Sequence, residues 1–294
     1  MTSEILIPKP MRGAHTLTRP RFDIPTGACD SHVHVFGPDS RYPRVDKPHY
    51  TLPDGNLQQL EQMARALKLR RFVVVQPSYY GCDNTCMLDA LDAVGADARG
   101  VAMVDERVSD AELQRMHDRG VRALRLDLFL RSSLPTSELI AYIERSIRRT
   151  EALGWHVQFY TPGWVVRDLL PFLSGLEADF VIDHMGYMLE SDGLTRADFD
   201  RLLTVIASGR GWIKLSAPYR IAKDGNYARL QPLVAAVMEA APRRVIWGSD
   251  WPHIPDGDKD TGELLNLLAT WIPDSEALSR VLVTNPAELF KFDA

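Results

Sequence analysis

The sequence predicts a closed (β/α)₈ barrel, and two observations lead to this prediction. Eight short apolar runs rich in β-branched residues recur along the chain, each apolar almost throughout, as expected of parallel strands buried on both faces. Amphipathic helical stretches separate these runs, and regular alternation of strand and helix is typical of barrels. An open doubly wound sheet is the alternative, but no GxGxxG or P-loop motif follows any run.

The predicted elements begin after a proline-bearing segment. Pro8, Pro10 and Pro20 oppose helix and sheet pairing, so residues 1–26 are interpreted as an extended arm and residues 27–294 as one barrel domain. The predicted strands cover residues 29–35, 72–76, 100–104, 123–126, 156–160, 180–182, 212–215 and 245–247. The clearest predicted helices cover residues 56–69, 110–119, 137–153 and 227–241.

Composition narrows the class of protein. The 294 residues carry a formal charge of −5, which argues against a nucleic-acid partner because phosphate binding needs clustered Lys and Arg. The three cysteines, Cys29, Cys82 and Cys86, have no paired zinc spacing and suit a reducing compartment. No stretch has the apolar length of a signal peptide or a membrane span, so we expect a cytoplasmic protein without a membrane partner.

In a barrel, catalytic groups lie at the carboxyl ends of the strands. The first run ends in DSHVH, where His32 and His34 are two residues apart and therefore point to the same side of a strand. The sixth run ends in VIDHMG with His184, and the eighth in WGSDWPH with Asp250. Four ionisable residues at strand ends predict a site for a metal or an oxyanion.

These motifs resemble one family. DSHVHVFGP, VIDHMG and WGSDWPH, together with VVVQPSYYGCDN, VRALRLDL and VTNPAELF, resemble the amidohydrolase superfamily over almost the whole chain after the arm. Within it, the resemblance is to the group that contains the 2-pyrone-4,6-dicarboxylate lactonases. It implies an amidohydrolase-type barrel and hydrolysis at a carbonyl group.

The resemblance also bears on metal binding. Metal-dependent members of the superfamily use a histidine on the fifth strand, where this chain has Tyr160; His156 lies at the opposite end of that run. The remaining ligands are His32, His34, His184 and Asp250, which by number could bind Zn²⁺ or Mn²⁺. The resembling lactonases work without a metal, so we expect no required cofactor, with one divalent ion as the alternative.

The same resemblance assigns roles to residues. Asp250 is the general base for water, and the donors to the developing oxyanion are His32, His34, His184 and Tyr160. Arginines at corresponding places hold carboxylates of the substrate, and a serine assists. In this sequence those predicted substrate contacts are Arg125, Arg131, Arg220 and Ser78.

One position departs from the family pattern. The member specific for the pyrone dicarboxylate has an arginine after its HMG, where this chain has Tyr187. Loss of that charge predicts that the pyrone dicarboxylate is not the best substrate, and that a muconolactone-type, sulfonated or sugar-acid lactone is better. An aromatic pocket for a planar ring is a further expectation, formed by Tyr79, Tyr80, Tyr187 and Tyr219.

Several alternatives stay open at this stage. A related barrel can decarboxylate a small aromatic or unsaturated acid with a firmly bound metal, or isomerise a sugar-acid lactone by replacing water with a substrate hydroxyl. A scaffold protein without activity would leave the four ionisable strand ends unexplained. A homo-oligomer is possible, and the arm has no assigned role.

Overall fold

The computed structural model describes residues 5–189 and 193–293. Eight parallel strands form one sheet in the order of the chain, which confirms the predicted barrel. They are β1 (Cys29–Val33), β2 (Arg71–Val75), β3 (Ala98–Ala102), β4 (Val121–Asp127), β5 (His156–Tyr160), β6 (Phe180–Ile182), β7 (Gly211–Ser216) and β8 (Val245–Gly248). Every predicted run overlaps an observed strand, and the third strand lies two residues earlier than predicted.

Helices follow the strands on the outside of the barrel. They are α1 (Leu57–Leu67), α2 (Thr85–Val94), α3 (Asp110–Asp118), α4 (Thr136–Thr150), α5 (Gly163–Leu173), α6 (Arg196–Ala207), α7 (Pro218–Ile221), α8 (Gln231–Ala240), α9 (Thr261–Trp271), α10 (Ser275–Ser279) and α11 (Asn285–Phe290). The predicted helix at 137–153 ends in a 3₁₀ turn (Glu151–Leu153), and the one at 227–241 begins with one (Tyr227–Leu230).

Local sequence explains why these helices form. In α1, Asn56 and Gln59 make a reciprocal capping box. The buried residues of this helix recur at the spacing of one helical face, Leu60, Met63, Ala64 and Leu67. That face packs against the outside of the sheet in the main hydrophobic core.

Inside the barrel, the residues change from apolar to polar along the strands. The inward positions are Val181 on β6 and then Asp183 directly after it. On β7 they are Trp212 and then Lys214. The apolar end is closed by Phe290 of α11. The polar end is the carboxyl end of the strands, where a barrel places its chemistry.

The barrel closes between β8 and β1 by a few specific bonds. Val33 bridges Trp251 in parallel, and the amides of His34 and Asp250 donate to the carbonyls of Trp251 and His32, both at 2.9 Å. This closure brings the two segments that carry the predicted catalytic residues into direct contact.

The segment before β1 lies against the loop after β8. The backbone amide of Lys9 donates to the carbonyl of Pro255 at 2.9 Å, and that of Arg12 donates to Gly257 at 3.0 Å. Among the described residues, no helix is long and apolar enough to cross a membrane.

Gly248 is required by the close approach of β8 to β1. A Cβ at this position would lie 2.5 Å from the Cβ and 2.7 Å from the backbone nitrogen of His32. We predict that Gly248→Ala lowers the free energy of unfolding by about 1–3 kcal/mol, the usual cost of overpacking a core. Gly175→Ala is the control, since its nearest neighbour would lie at 3.9 Å. Equal urea-unfolding midpoints for the two variants would contradict the prediction.

Candidate active site

Asp250 follows β8 and is held by two donors. The Tyr219 hydroxyl donates to Oδ2 at 2.7 Å, and Arg220 Nε donates to the same oxygen at 2.8 Å. Its backbone is left-handed, with φ of 67°, an uncommon conformation for a residue with a side chain. This turn, together with the two donors, fixes the carboxylate in one orientation.

The other carboxylate oxygen of Asp250 faces three imidazoles. Oδ1 lies 3.5 Å from His34 Nε2, 3.6 Å from His32 Nε2 and 3.9 Å from His184 Nε2. Oδ1 is buried and accepts no hydrogen bond within the described part of the chain. The structure thus brings together the four residues that the strand-end motifs predict.

The charge of Asp250 is stabilised although the group is buried. Burial opposes ionisation, but the Arg220 guanidinium and the neighbouring imidazoles hold the pKa of this carboxyl well below its usual value. Asp250 is therefore a carboxylate at neutral pH.

The tautomer of His34 follows from its partner. Nδ1 lies 2.7 Å from the carbonyl oxygen of Val75. A carbonyl only accepts, so Nδ1 carries the hydrogen. Nε2, at the pocket side, is then a free acceptor in the neutral ring and a donor in the imidazolium.

His184 is oriented by β7. Its Nδ1 lies 2.9 Å from Ser216 Oγ, which also accepts from the His184 amide at 3.3 Å. This geometry allows the Ser216 hydroxyl to donate to Nδ1, which leaves the hydrogen on Nε2, facing Asp250. Burial lowers the pKa of His184 to about 4, so the ring is neutral at pH 7.

An ion pair lies beneath His32 inside the barrel. Lys214 Nζ is 3.0 Å from Asp183 Oδ1 and 3.3 Å from His32 Nδ1, and all three side chains are fully buried. Burial opposes ionisation of Asp183, yet Lys214 and His32 hold the pKa of this carboxyl well below its usual range. His32 Nδ1 also lies 3.6 Å from Asp183 Oδ1, so it accepts from the Lys214 ammonium in one tautomer and faces the Asp183 carboxylate as a donor in the other.

His253 and Thr261 support the Tyr219 hydroxyl that donates to Asp250. His253 Nδ1 lies 3.2 Å from the Tyr219 hydroxyl, and its Nε2 lies 2.8 Å from Thr261 Oγ1. Burial lowers the pKa of His253 to about 4. The sequence analysis assigned a role to none of Lys214, Asp183 and His253. The sequence signal for Lys214 was a lone charge within an otherwise apolar strand.

A cavity of about 280 Å³ opens above Asp250. Its wall includes seven of the ten predicted site residues, which are His34, Ser78, Arg125, Tyr160, His184, Arg220 and Asp250. The predicted base and two of the three predicted arginine contacts therefore lie at one cavity. Arg125 donates to the Gln76 carbonyl at 3.1 Å and lies over the Tyr160 ring at 4.8 Å. Its Nε has no partner within the described residues.

The other predicted site residues lie elsewhere. His32 is fully buried below the cavity. Arg131 donates to the carbonyl of Asp127 and lies over the Tyr142 ring, and Tyr187 packs edge-on against Phe129; neither lines the cavity. Both remain predictions as substrate contacts.

The expected aromatic pocket has a different composition. Tyr79 and Tyr80 pack against Phe36, and Tyr219 binds Asp250, so these rings support the site from behind. The tyrosine that lines the cavity beside Tyr160 is Tyr50. The sequence analysis did not identify Tyr50.

The donor set fits one divalent cation. Ligand atoms of His32, His34 and Asp250 lie within 4.8 Å of one another in the described part of the chain. His34 Nε2 and Asp250 Oδ1 are free to coordinate, and His32 Nε2, which has no hydrogen-bond partner within the described residues, can coordinate when the ring carries its hydrogen on Nδ1. His184, the fourth predicted ligand, lies outside this group.

Fold and site together define a barrel hydrolase. Residues 29–292 match the model of the amidohydrolase family, and the chain belongs to that family, as its motifs predict. A 2-pyrone-4,6-dicarboxylate hydrolase from Comamonas testosteroni is 35% identical over 93% of each chain. A 4-sulfomuconolactone hydrolase from Rhizobium radiobacter is 33% identical over 96% of each chain. The crystal structure of an Agrobacterium tumefaciens protein in its apo form aligns with a TM-score of 0.81 at 27% identity, over 93% of this chain and 99% of that one.

We predict that Lys214→Met lowers the free energy of unfolding by about 3–5 kcal/mol, because it leaves the Asp183 carboxylate buried without its ammonium partner. The double variant Lys214→Met/Asp183→Leu should recover much of this loss. Arg196→Met, which breaks the exposed pair with Asp200, is the control and should change stability little. Urea unfolding measures all three. A single variant as stable as the wild type would show that the pair is not ionised.

Proposed function

We propose that this chain hydrolyses a small anionic lactone, with Asp250 as the general base. The observation that carries the proposal is the free Oδ1 of Asp250, buried at the floor of the cavity and surrounded by three imidazole nitrogens at 3.5–3.9 Å. A carboxylate with a free oxygen in a site rich in donors suits activation of one water molecule. The relatives named for lactone hydrolysis support this reading.

The proposed reaction proceeds in two steps. Asp250 Oδ1 takes a proton from water, and the oxygen of that water attacks the lactone carbonyl to form a tetrahedral oxyanion. The Nε2 hydrogen of His184 and the Tyr160 hydroxyl, both at the cavity wall, donate to this oxyanion. The bond from the carbonyl carbon to the ring oxygen then breaks, and Asp250 returns its proton to the departing oxygen.

Arg125 and Ser78 are the proposed contacts for the anionic group of the substrate. Arg125 is buried, lines the cavity and has an unpaired Nε in the described structure. A buried guanidinium is costly unless its donors are used, and a carboxylate or sulfonate can use two of them at once. Arg220 lines the same cavity but already binds Asp250 and the Ile254 carbonyl. We therefore assign it chiefly to holding the base.

We propose that hydrolysis requires no metal. The support is the positive charge already present beside the ligand group. The Lys214 ammonium lies 3.3 Å from His32 Nδ1, and the Arg220 guanidinium lies 2.8 Å from Asp250 Oδ2, so both oppose the binding of a further cation. If Zn²⁺ or Mn²⁺ binds, His32, His34 and Asp250 would hold it, and the ion would polarise the lactone carbonyl. Stoichiometric metal in the purified enzyme, with activity lost to a chelator, would contradict this proposal.

A panel of carboxylated and sulfonated lactones in ¹⁸O-labelled water tests the proposed function. We expect turnover with one labelled oxygen in the product; isomerisation incorporates none, and decarboxylation releases CO₂. Asp250→Asn should lower kcat at least about 10³-fold, because the amide cannot accept the proton of water. Asp168→Asn, an exposed carboxylate on α5, is the control. An Asp250→Asn variant that retains kcat would exclude Asp250 as the base.

The pH profile should report the low pKa of Asp250. A base acts in its deprotonated form, so lowering its pKa moves the acid limb of kcat/KM to lower pH. Arg220→Gln removes the nearest positive charge, which raises the pKa of Asp250 and moves that limb to higher pH. Arg229→Gln, an exposed arginine paired with Asp224, should leave the profile unchanged. An acid limb unmoved by Arg220→Gln would show that another group titrates.

A further inference from the structure

The N-terminal arm contributes to the wall of the cavity. Leu6 lines the cavity together with Tyr50, Ile254 and Pro255. Leu6 pairs in parallel with Tyr50: its amide donates to the His49 carbonyl at 3.2 Å, and its carbonyl accepts from the Thr51 amide at 2.9 Å. At Leu6 the arm is thus paired like a β-strand with the loop after β1, at the mouth of the barrel.

The same arm is docked on the loop after β8. Beyond the bonds of Lys9 and Arg12, the Asp260 carboxylate accepts from the backbone amide and the hydroxyl of Thr18. A Cβ at Gly257 would collide with the Lys9 carbonyl oxygen, and one at Gly262 with that of Thr18. Gly257, in the loop after β8, and Gly262, in the first turn of α9, therefore admit the arm only because they are glycines, which shows that the arm packs closely against both.

Leu6 and its neighbour Ile7 point to different sides of the arm. In extended backbone, successive side chains point to opposite sides. Leu6 lines the cavity, whereas Ile7, which is 79% exposed, does not. This arrangement provides a matched pair of adjacent aliphatic residues, of which one faces the cavity.

The cavity has a charged floor and an apolar rim. The floor contains Asp250 and Arg125, and the rim contains Leu6, which is 44% exposed, Ile254, and Leu130, which is 55% exposed, with His49 beside Leu6. An apolar surface that faces a ligand cavity favours an apolar group of the ligand. The part of the substrate that lies away from Arg125 therefore meets aliphatic side chains.

We propose that Leu6 is a specificity-determining residue that contacts an apolar substituent of the lactone. The inference rests on the proposed function and adds the class of substrate: a lactone with an anionic group at one end and an uncharged, apolar substituent at the other. The arm acts as a fixed wall of the cavity, held by both loops, and not as part of the machinery that activates water.

The experiment compares Leu6→Ala and Leu6→Asp with Ile7→Ala and Ile7→Asp. Each of the four variants is assayed with two lactones. The first is the lactone of the panel with the highest kcat/KM among those that carry an apolar substituent, and the second is its analogue without that substituent. We expect Leu6→Ala to raise KM for the substituted lactone about ten-fold, with kcat and the KM of the analogue nearly unchanged. Leu6→Asp should raise KM further, and both Ile7 variants should match the wild type.

Leu6 and Ile7 variants that behave alike would overturn the inference, and so would a Leu6 effect of equal size on both lactones. A fall in thermal midpoint with unchanged KM would show that Leu6 only anchors the arm, and would also overturn it. Calorimetric binding of the two lactones to Asp250→Asn, with and without Leu6→Ala, separates this inference from the proposed function. A wild type that binds but opens no lactone refutes the proposed function alone; equal affinities in the two backgrounds refute the role of Leu6.

Discussion

The ion pair between Lys214 and Asp183 is the constraint on which the site depends. Ionised groups persist inside a barrel only when each has a close partner, because burial strongly penalises an isolated charge. Both members of the pair approach His32 Nδ1, Lys214 at 3.3 Å and Asp183 at 3.6 Å, and Asp183 directly precedes His184. One buried pair therefore positions two of the three imidazoles that surround Asp250.

Much of the fold and the convergence of the site could be predicted because both follow from periodicity. Eight apolar runs predict eight strands, and the rule that strand ends meet at one face predicts that His34, His184 and Asp250 come together. Lys214 could not be recognised in this way. It lies within the apolar segment GWIKLS, and its partner Asp183 is 31 residues away in sequence, on the neighbouring strand. A lysine inside a predicted buried strand signals that some carboxylate must approach it, but only the register identifies which one.

The positions of loop residues were harder to predict from the sequence, because loops turn by backbone conformations that composition does not reveal. His184, Met185 and Tyr187 all have positive φ, although none is glycine. This turn places the Tyr187 ring against Phe129 and next to Tyr160 of the cavity wall. Such left-handed residues cost free energy and persist where the surroundings determine them, most often at functional sites. Asp250 shows the same feature, which connects the strain of the backbone with the position of the base.

The division of the cavity into floor and rim has a physical consequence. The floor is built from strand ends, whose positions are set by the sheet, so the base and its donors tolerate little movement. The rim is built from the arm and from loops, which tolerate changes in sequence better than the sheet does. Leu6 and Leu130 can therefore change without disturbing the ion pair beneath His32. Under the proposed function, the choice of lactone and the chemistry of its opening are thus carried by separate parts of the chain, and the loops after β1 and β8 join these parts.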